Sequence, residues 1–170
     1  MWVFDATPLI YLAKVERLTL IESLERDCVV PRPVHEEVVT DGLDAGHPDA
    51  RRVGGMVDTD AVAVVSVPET PLHARLLDND SLSRADVAVL ACADANDGTA
   101  VMDEQYGRDV AAAEGVSTRG TAFLVLTRLK AGVIDAEETR ATVDAMIDAG
   151  WYCAPDVYTR IVGEIERISE

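Results

Sequence analysis

Two short apolar runs in this chain each end on a carboxylate: Trp2-Val3-Phe4-Asp5 and Val101-Met102-Asp103-Glu104. Each reads as a buried strand that delivers its acid and then gives way to a helix-like segment. In an open parallel sheet, side chains at strand C-termini gather in the crevice where ligands bind. Glu37 and Asp86 stand at the starts or edges of helices flanking those strands. Acids drawn from four separated places, with no base nearby, suit one or two hard cations, Mg²⁺ or Mn²⁺, which take octahedral oxygen ligands. Such a metal activates water and stabilises the attacking and leaving oxygens of a phosphodiester in an in-line displacement. Without it the carboxylates repel one another, and one or more should have a raised pKa.

Each acid also has a plainer use. Asp5 could do no more than cap a helix opening at Thr7-Pro8. Asp103 and Glu104 could be first-turn acids favoured by the helix dipole. Ser83-Arg84-Ala85-Asp86 has the spacing of a capping box, although one carboxylate could serve both as cap and as ligand. Glu36 and Glu37 share a helix, one facing solvent and the other the sheet edge, and their own pattern does not choose between them. His35 lies beside them, but His47 and His73 fall in polar stretches without partner spacing. Neither a zinc site nor a His-based nucleophilic triad is supported. Gly54-Gly55 is too isolated for a phosphate loop, and no Ser or Thr stands in a nucleophile elbow.

The elements that must position these acids alternate along the chain. Trp2–Asp5 reads as a strand, with Thr7 as N-cap and Pro8 as first residue of the helix that follows. A short helix runs over Leu18–Leu24. Cys28-Val29-Val30 is a strand stopped by Pro31, and Pro33 opens a helix carrying Val34, Val38 and Val39. Residues 41–60 contain one weak helix, Ala50 to Val57. Ala61–Val67 is a strand by its β-branched content, and Pro68–Asp80 a loop with a turn or two of helix. Ser81–Ala95 is a helix, Thr99–Asp103 a strand, and Glu104–Glu114 a helix ended by Gly115. Val116-Ser117-Thr118 is a short strand, and Gly120-Thr121 opens the apolar helix Ala122–Lys130. Asp135 and Glu138 form a capping box for a helix to about Ala149, and Asp156–Ile168 is a last amphipathic helix. Strands alternating with helices predict an α/β fold, a central parallel sheet with helices on both faces.

The chain has 170 residues, enough for one well-buried core, and 48% apolar content excludes wholesale disorder. No window reaches the roughly 18 apolar residues of a membrane span, and no export signal opens the chain, so a cytoplasmic protein without a membrane partner is expected. Cys28, Cys92 and Cys153 are scattered through apolar stretches, fit no zinc pattern, and read as buried free thiols in a reducing compartment. The net charge of −16, from 31 acids against 15 bases, taken alone argues against a nucleic-acid partner. A halophilic source gives another explanation. At molar salt the Debye length is about 3 Å, so dispersed surface carboxylates keep the protein soluble at little electrostatic cost.

The residues at the acids resemble a PIN domain. VFDATPLIYLAKVERLTLIESL is similar to the first PIN strand, with its Asp and the small hydroxyl residue two positions on, here Asp5 and Thr7. PRPVHEEVV resembles the segment carrying the second acid, and its register against the following valine favours Glu37 over Glu36. LSRADVAVLACA resembles the helix start with the third acid, Asp86. AVMDEQYGRDVAAAEGVSTRGTAFLVL resembles the fourth motif, with its strand, acidic pair, helix, short strand and Gly-Thr. Any one of these alone is weak; the four in order, over about Met1 to Ile134, are specific.

The resemblance implies a three-layer α/β/α sandwich around a parallel sheet of five strands, taken over residues 1–170 as one domain with helices 135–170 appended. It implies a Mg²⁺- or Mn²⁺-dependent endoribonuclease with Asp5, Glu37, Asp86 and Asp103 or Glu104 as metal ligands. It also implies an RNA substrate, frequent homodimers, and in many cases a toxin's partnership with an antitoxin protein. Two features depart from the family. Met102-Asp103-Glu104 replaces the usual Asp-Asp or Thr-x-Asp, so the identity of the fourth ligand stays open. The acidic surface leaves Arg84, Arg108, Arg119 and Arg128 as the only clustered RNA contacts. The alternative within the family is a PIN module that binds RNA or protein without cutting. Outside it, a phosphotransfer receiver needs a lysine near its last strand, where neither Lys14 nor Lys130 lies, and an acid phosphatase needs an Asp-x-Asp motif that Asp5-Ala6-Thr7 lacks.

Overall fold

The computed structural model covers residues 1–170. Five short strands, β1 (Trp2–Phe4), β2 (Cys28–Pro31), β3 (Ala63–Val65), β4 (Thr99–Val101) and β5 (Ser117–Arg119), form one sheet in the order β3-β2-β1-β4-β5. All four pairings are parallel, with Val3 of β1 opposite Val29 of β2 and Ala100 of β4. Consecutive residues such as Val29 and Val30, or Ala100 and Val101, are buried together. Their side chains point to opposite faces, so both faces of the sheet must be covered.

The helices that cover it are α1 (Ala6–Lys14), α2 (Thr19–Glu22), α3 (Arg32–His35), α4 (Gly42–Asp44), α5 (Pro48–Asp58), α6 (Pro71–Leu77) and α7 (Arg84–Ala95), then α8 (Gln105–Glu114), α9 (Thr121–Lys130), α10 (Ala136–Asp148) and α11 (Pro155–Ser169). A π-helical turn, Glu36–Asp41, joins α3 to α4. α7 lies against β1, β2 and β4 with α6 beside it, while α1 packs on α5, and α9 on α2 and α10. With right-handed crossovers these are the two outer layers of an α/β/α sandwich. Val87 to Ala93 of α7 are all buried; a helix apolar on every side belongs in the middle of a protein. No helix is long and apolar enough to cross a membrane.

Several boundaries differ from the sequence expectation, each for a local reason. α1 begins at Ala6, with Asp5 rather than Thr7 in the extended N-cap conformation. Pro8 therefore falls in the first turn, where its missing N–H has no intrahelical partner to lose. β3 is shorter than 61–67 because the Ala61 and Val62 amides both bond the Met56 carbonyl at the end of α5. Pro31 belongs to β2, opposite Val65, before it starts α3. The Pro48-led helix and α6 exceed the weak elements expected there; the Thr70 hydroxyl caps α6 by accepting from the His73 amide.

Candidate active site

The chain leaves β1 toward β2 but leaves β4 toward β5, so the direction of travel reverses between these two central neighbours. Such a switch point opens a crevice beyond the strand C-termini. Asp5 follows β1 and Asp103 follows β4 by two residues, and the Asp5 amide donates to the Val101 carbonyl (3.0 Å). The two acids thereby follow the C-terminal ends of neighbouring strands.

Asp5 is the one buried acid of the chain. It is only 7% exposed, and its side chain makes no capping hydrogen bond to α1. Burial pushes its pKa from 3.8 up to about 7; the Ala6 amide pulls it partly back, and the negative charges of Asp86, Glu37 and Asp103 raise it further. These are the three other positions that sequence analysis singles out, apart from Glu104, and their fields converge on one buried carboxyl. None of Asp5, Glu37, Asp86 and Asp103 is paired with an arginine or lysine.

The structure separates the acids that sequence pattern left as alternatives. Glu36 pairs with Arg84 (3.2 Å), which removes Arg84 from the free arginines, whereas Glu37 is exposed and its charge is felt at Asp5. Both lie at the start of the π-helical turn, a wider coil that often marks functional sites. Asp86 does form a capping box: its Oδ2 accepts from the Ser83 amide (2.9 Å) and its own amide donates to Ser83 Oγ (3.0 Å). Its other oxygen takes no part, so cap and ligand roles are compatible there.

Asp103 and Glu104 have opposite tasks. Glu104 caps α8, accepting from the Tyr106 amide (3.0 Å) and the Gly107 amide (2.6 Å) with its two oxygens. Its charge is not among those felt at Asp5. Asp103 receives the Thr121 amide and the Thr121 hydroxyl (both 2.7 Å), and the Trp151 indole N–H (3.0 Å). Gly120 makes the approach possible: a Cβ there would stand 2.9 Å from Asp103 Oδ1. Sequence reasoning read Gly120-Thr121 as a helix opening and as the Gly-Thr of the fourth motif, without its contact to Asp103, and missed Trp151 altogether. The available signal was a Gly150-Trp151-Tyr152 connector with two aromatics between amphipathic helices.

As donors, unpaired carboxylates around a buried acid fit a hard divalent cation. Their spacing is open: no group of three or more His, Cys, Asp or Glu side chains is close enough to hold an ion. Mg²⁺ commonly keeps several waters and binds through one or two carboxylates, so an open set suits it better than a closed cage.

Beside Asp103 the crevice widens into a cavity of about 710 Å³, with Trp151, Tyr152 and Phe123 on its walls and Arg108 and Arg119 at its rim. The thiols are all free; Cys28 and Cys92 are buried as expected, but Cys153 is half-buried and faces this cavity.

The family profile described as a PIN domain matches residues 1–167. No curated protein matches the chain.

Proposed function

Because the chain belongs to the PIN-domain family, whose members are generally nucleases and generally use divalent metals, we propose that it is a Mg²⁺- or Mn²⁺-dependent endoribonuclease. The observation that supports this most is Asp5: buried, unpaired, with a pKa near 7, and facing the charges of Glu37, Asp86 and Asp103 at the sheet's switch point. A protein that keeps such a carboxyl without a basic partner leaves it to be neutralised by a proton or by a cation.

In this reading Asp5, Glu37 and Asp86 would hold the ion. A bound divalent cation supplies an activated water and a counter-charge for the phosphodiester. Asp5, with a pKa raised by burial to about 7, is about half protonated at neutral pH and would give up that proton in holding the ion. Asp103 has three of its roughly four acceptor positions filled by Thr121 and Trp151. It acts as a fixed negative wall with one position left for a ligand. Arg108, at the cavity rim, meets the substrate phosphate.

The test is hydrolysis of single-stranded RNA. It should require Mg²⁺ or Mn²⁺, stop in chelator, and disappear in Asp5→Asn with the fold retained. Wild-type cutting by Asp5→Asn in matched metal would overturn the assignment. A second reading, a PIN module that binds RNA without cutting it, draws on the open spacing of the acids and the occupied Asp103. Specific RNA binding without hydrolysis in either metal would favour it.

A further inference from the structure

Four arginines mark a path out of the acid crevice. In a chain of net charge −16 an arginine has carboxylates on every side to meet. Arg52, Arg75, Arg84, Arg160 and Arg167 do meet them. Of the eight arginines that form no ion pair, Arg108, Arg119, Arg128 and Arg26 gather along two adjoining cavities, which Arg17, Arg32, Arg51 and Arg140 do not line. The first is the one beside Asp103. The second, about 430 Å³, lies between the first residues of β1, β4 and β5 (Trp2, Thr99 and Ser117) and α9, and the two share Arg119 and Phe123 as a common wall. Only Glu25 brings an acid to the lining of the second cavity.

Aromatic rings alternate with these cations. Arg119 lies 5.0 Å from the Phe123 ring, and Arg26 5.8 Å from the Trp2 ring. Tyr152 is 85% exposed at the crevice end, and Phe123 40% exposed at the junction. Arg128 is held from behind, its Nη1 donating to the Ser23 carbonyl (2.9 Å). Cations that follow a backbone, interleaved with rings on which bases can stack, are the means by which proteins hold single strands without reading sequence.

We propose that single-stranded RNA leaves the acid crevice along this track, over Tyr152 and Phe123 and past Arg108, Arg119, Arg128 and Arg26; the placing of its reactive end rests on the nuclease reading above. The path spans two cavities, so contacts accumulate with length. A three-nucleotide strand occupies the crevice end, whereas about ten nucleotides reach Arg26, within the usual range of such grooves.

The test is fluorescence anisotropy of labelled oligouridines of three and ten nucleotides, in excess EDTA, with the whole chain and its Arg26→Ala/Arg128→Ala variant. The decamer should bind the variant about tenfold more weakly, with a log affinity against log salt slope shallower by about 1.4. The trimer's affinity should change far less. Arg26→Ala alone, at an exposed side chain, should show half the slope change and covers the case in which the double variant fails to fold. Equal affinities and slopes for the decamer overturn the proposal, whether or not the protein cuts RNA. A length-dependent loss in a protein that never hydrolyses RNA retains the track and removes the nuclease reading instead. If sedimentation shows that the variant loses self-association while RNA binding is unchanged, the track is a contact between copies of the chain and the proposal falls.

Discussion

Replacing Asp5 by Asn should stabilise this protein at neutral and alkaline pH, and the gain should vanish in acid. The carboxyl is raised by burial from 3.8 to about 7. In the folded state it therefore holds its proton over a range in which the unfolded chain has already released it. Below pH 3.8 both states are protonated and Asp5 costs nothing. As pH rises from about 4 to 7 the unfolded state binds fewer protons than the folded one, so stability falls with pH; above 7 the full cost is present. The interval corresponds to about 4 kcal/mol, an upper value for a side chain that is nearly inaccessible. Urea unfolding followed by circular dichroism at pH 4.5, 6 and 8, at constant ionic strength, measures wild type and Asp5→Asn side by side. The difference between them isolates Asp5 from the other 30 acids, which titrate in both proteins. It should grow from about 1 kcal/mol at pH 4.5 to several at pH 8, with unchanged denaturant slopes. Mg²⁺ at pH 8 should narrow the gap by stabilising only the wild type. Parallel stability curves across this range would refute the idea that Asp5 is buried without a counter-charge.

The other acids give sharper contrasts. Glu104→Gln should cost under about 1 kcal/mol, a weakened cap, and leave Mg²⁺ affinity near wild type in calorimetric titration; Asp103→Asn should weaken it, and the reverse order would exchange their roles. Gly120→Ala forces a Cβ to within 2.9 Å of Asp103 Oδ1, so RNA hydrolysis should fall while the circular dichroism spectrum is kept; wild-type turnover would show that Asp103 need not dock on Thr121. Loading Mg²⁺ near pH 7 should release about half a proton from Asp5, detected as a buffer-dependent binding enthalpy; enthalpies independent of buffer would count against it. Thermal unfolding should move to lower temperature as salt falls from molar to ~0.1 M and the Debye length grows from about 3 to 10 Å, and full stability in dilute buffer would remove salt adaptation as the reason for the −16 charge.

What could be read from sequence is what local physics decides. The strand–helix alternation, the Ser83–Asp86 and Asp135–Glu138 capping boxes and the Gly115 stop of α8 all depend on residues within one turn of each other. Asp5 was legible because an acid directly after a buried strand has one place to go. The choices left open were those decided by distant partners. Glu36 is taken up by Arg84, 48 residues away, and the π-helical turn that carries Glu37 leaves no simple periodicity to read. Asp103 and Glu104 look alike as neighbours in sequence. They part because the first peptide amides of α8 claim Glu104, while Thr121 and Trp151 claim Asp103.

The contact from Trp151 changes how the C-terminal helices α10 and α11 should be regarded. Sequence pattern treats α10 and α11 as an addition to a core already complete. α10 packs on α9 and touches α1, and the connector after it places a buried indole against an acid of the crevice. Through Thr121 at its start, α9 grips the same carboxylate. Asp103 is thus restrained from two elements, whereas Glu37 stands exposed on an irregular turn. With Asp103 and Asp86 held by hydrogen bonds, Asp5 buried and Glu37 exposed, the site can shift its ligand spacing through Glu37 alone. Adjustment toward a cation should therefore run through the π-helical turn, leaving the sheet and the Trp151 wall in place.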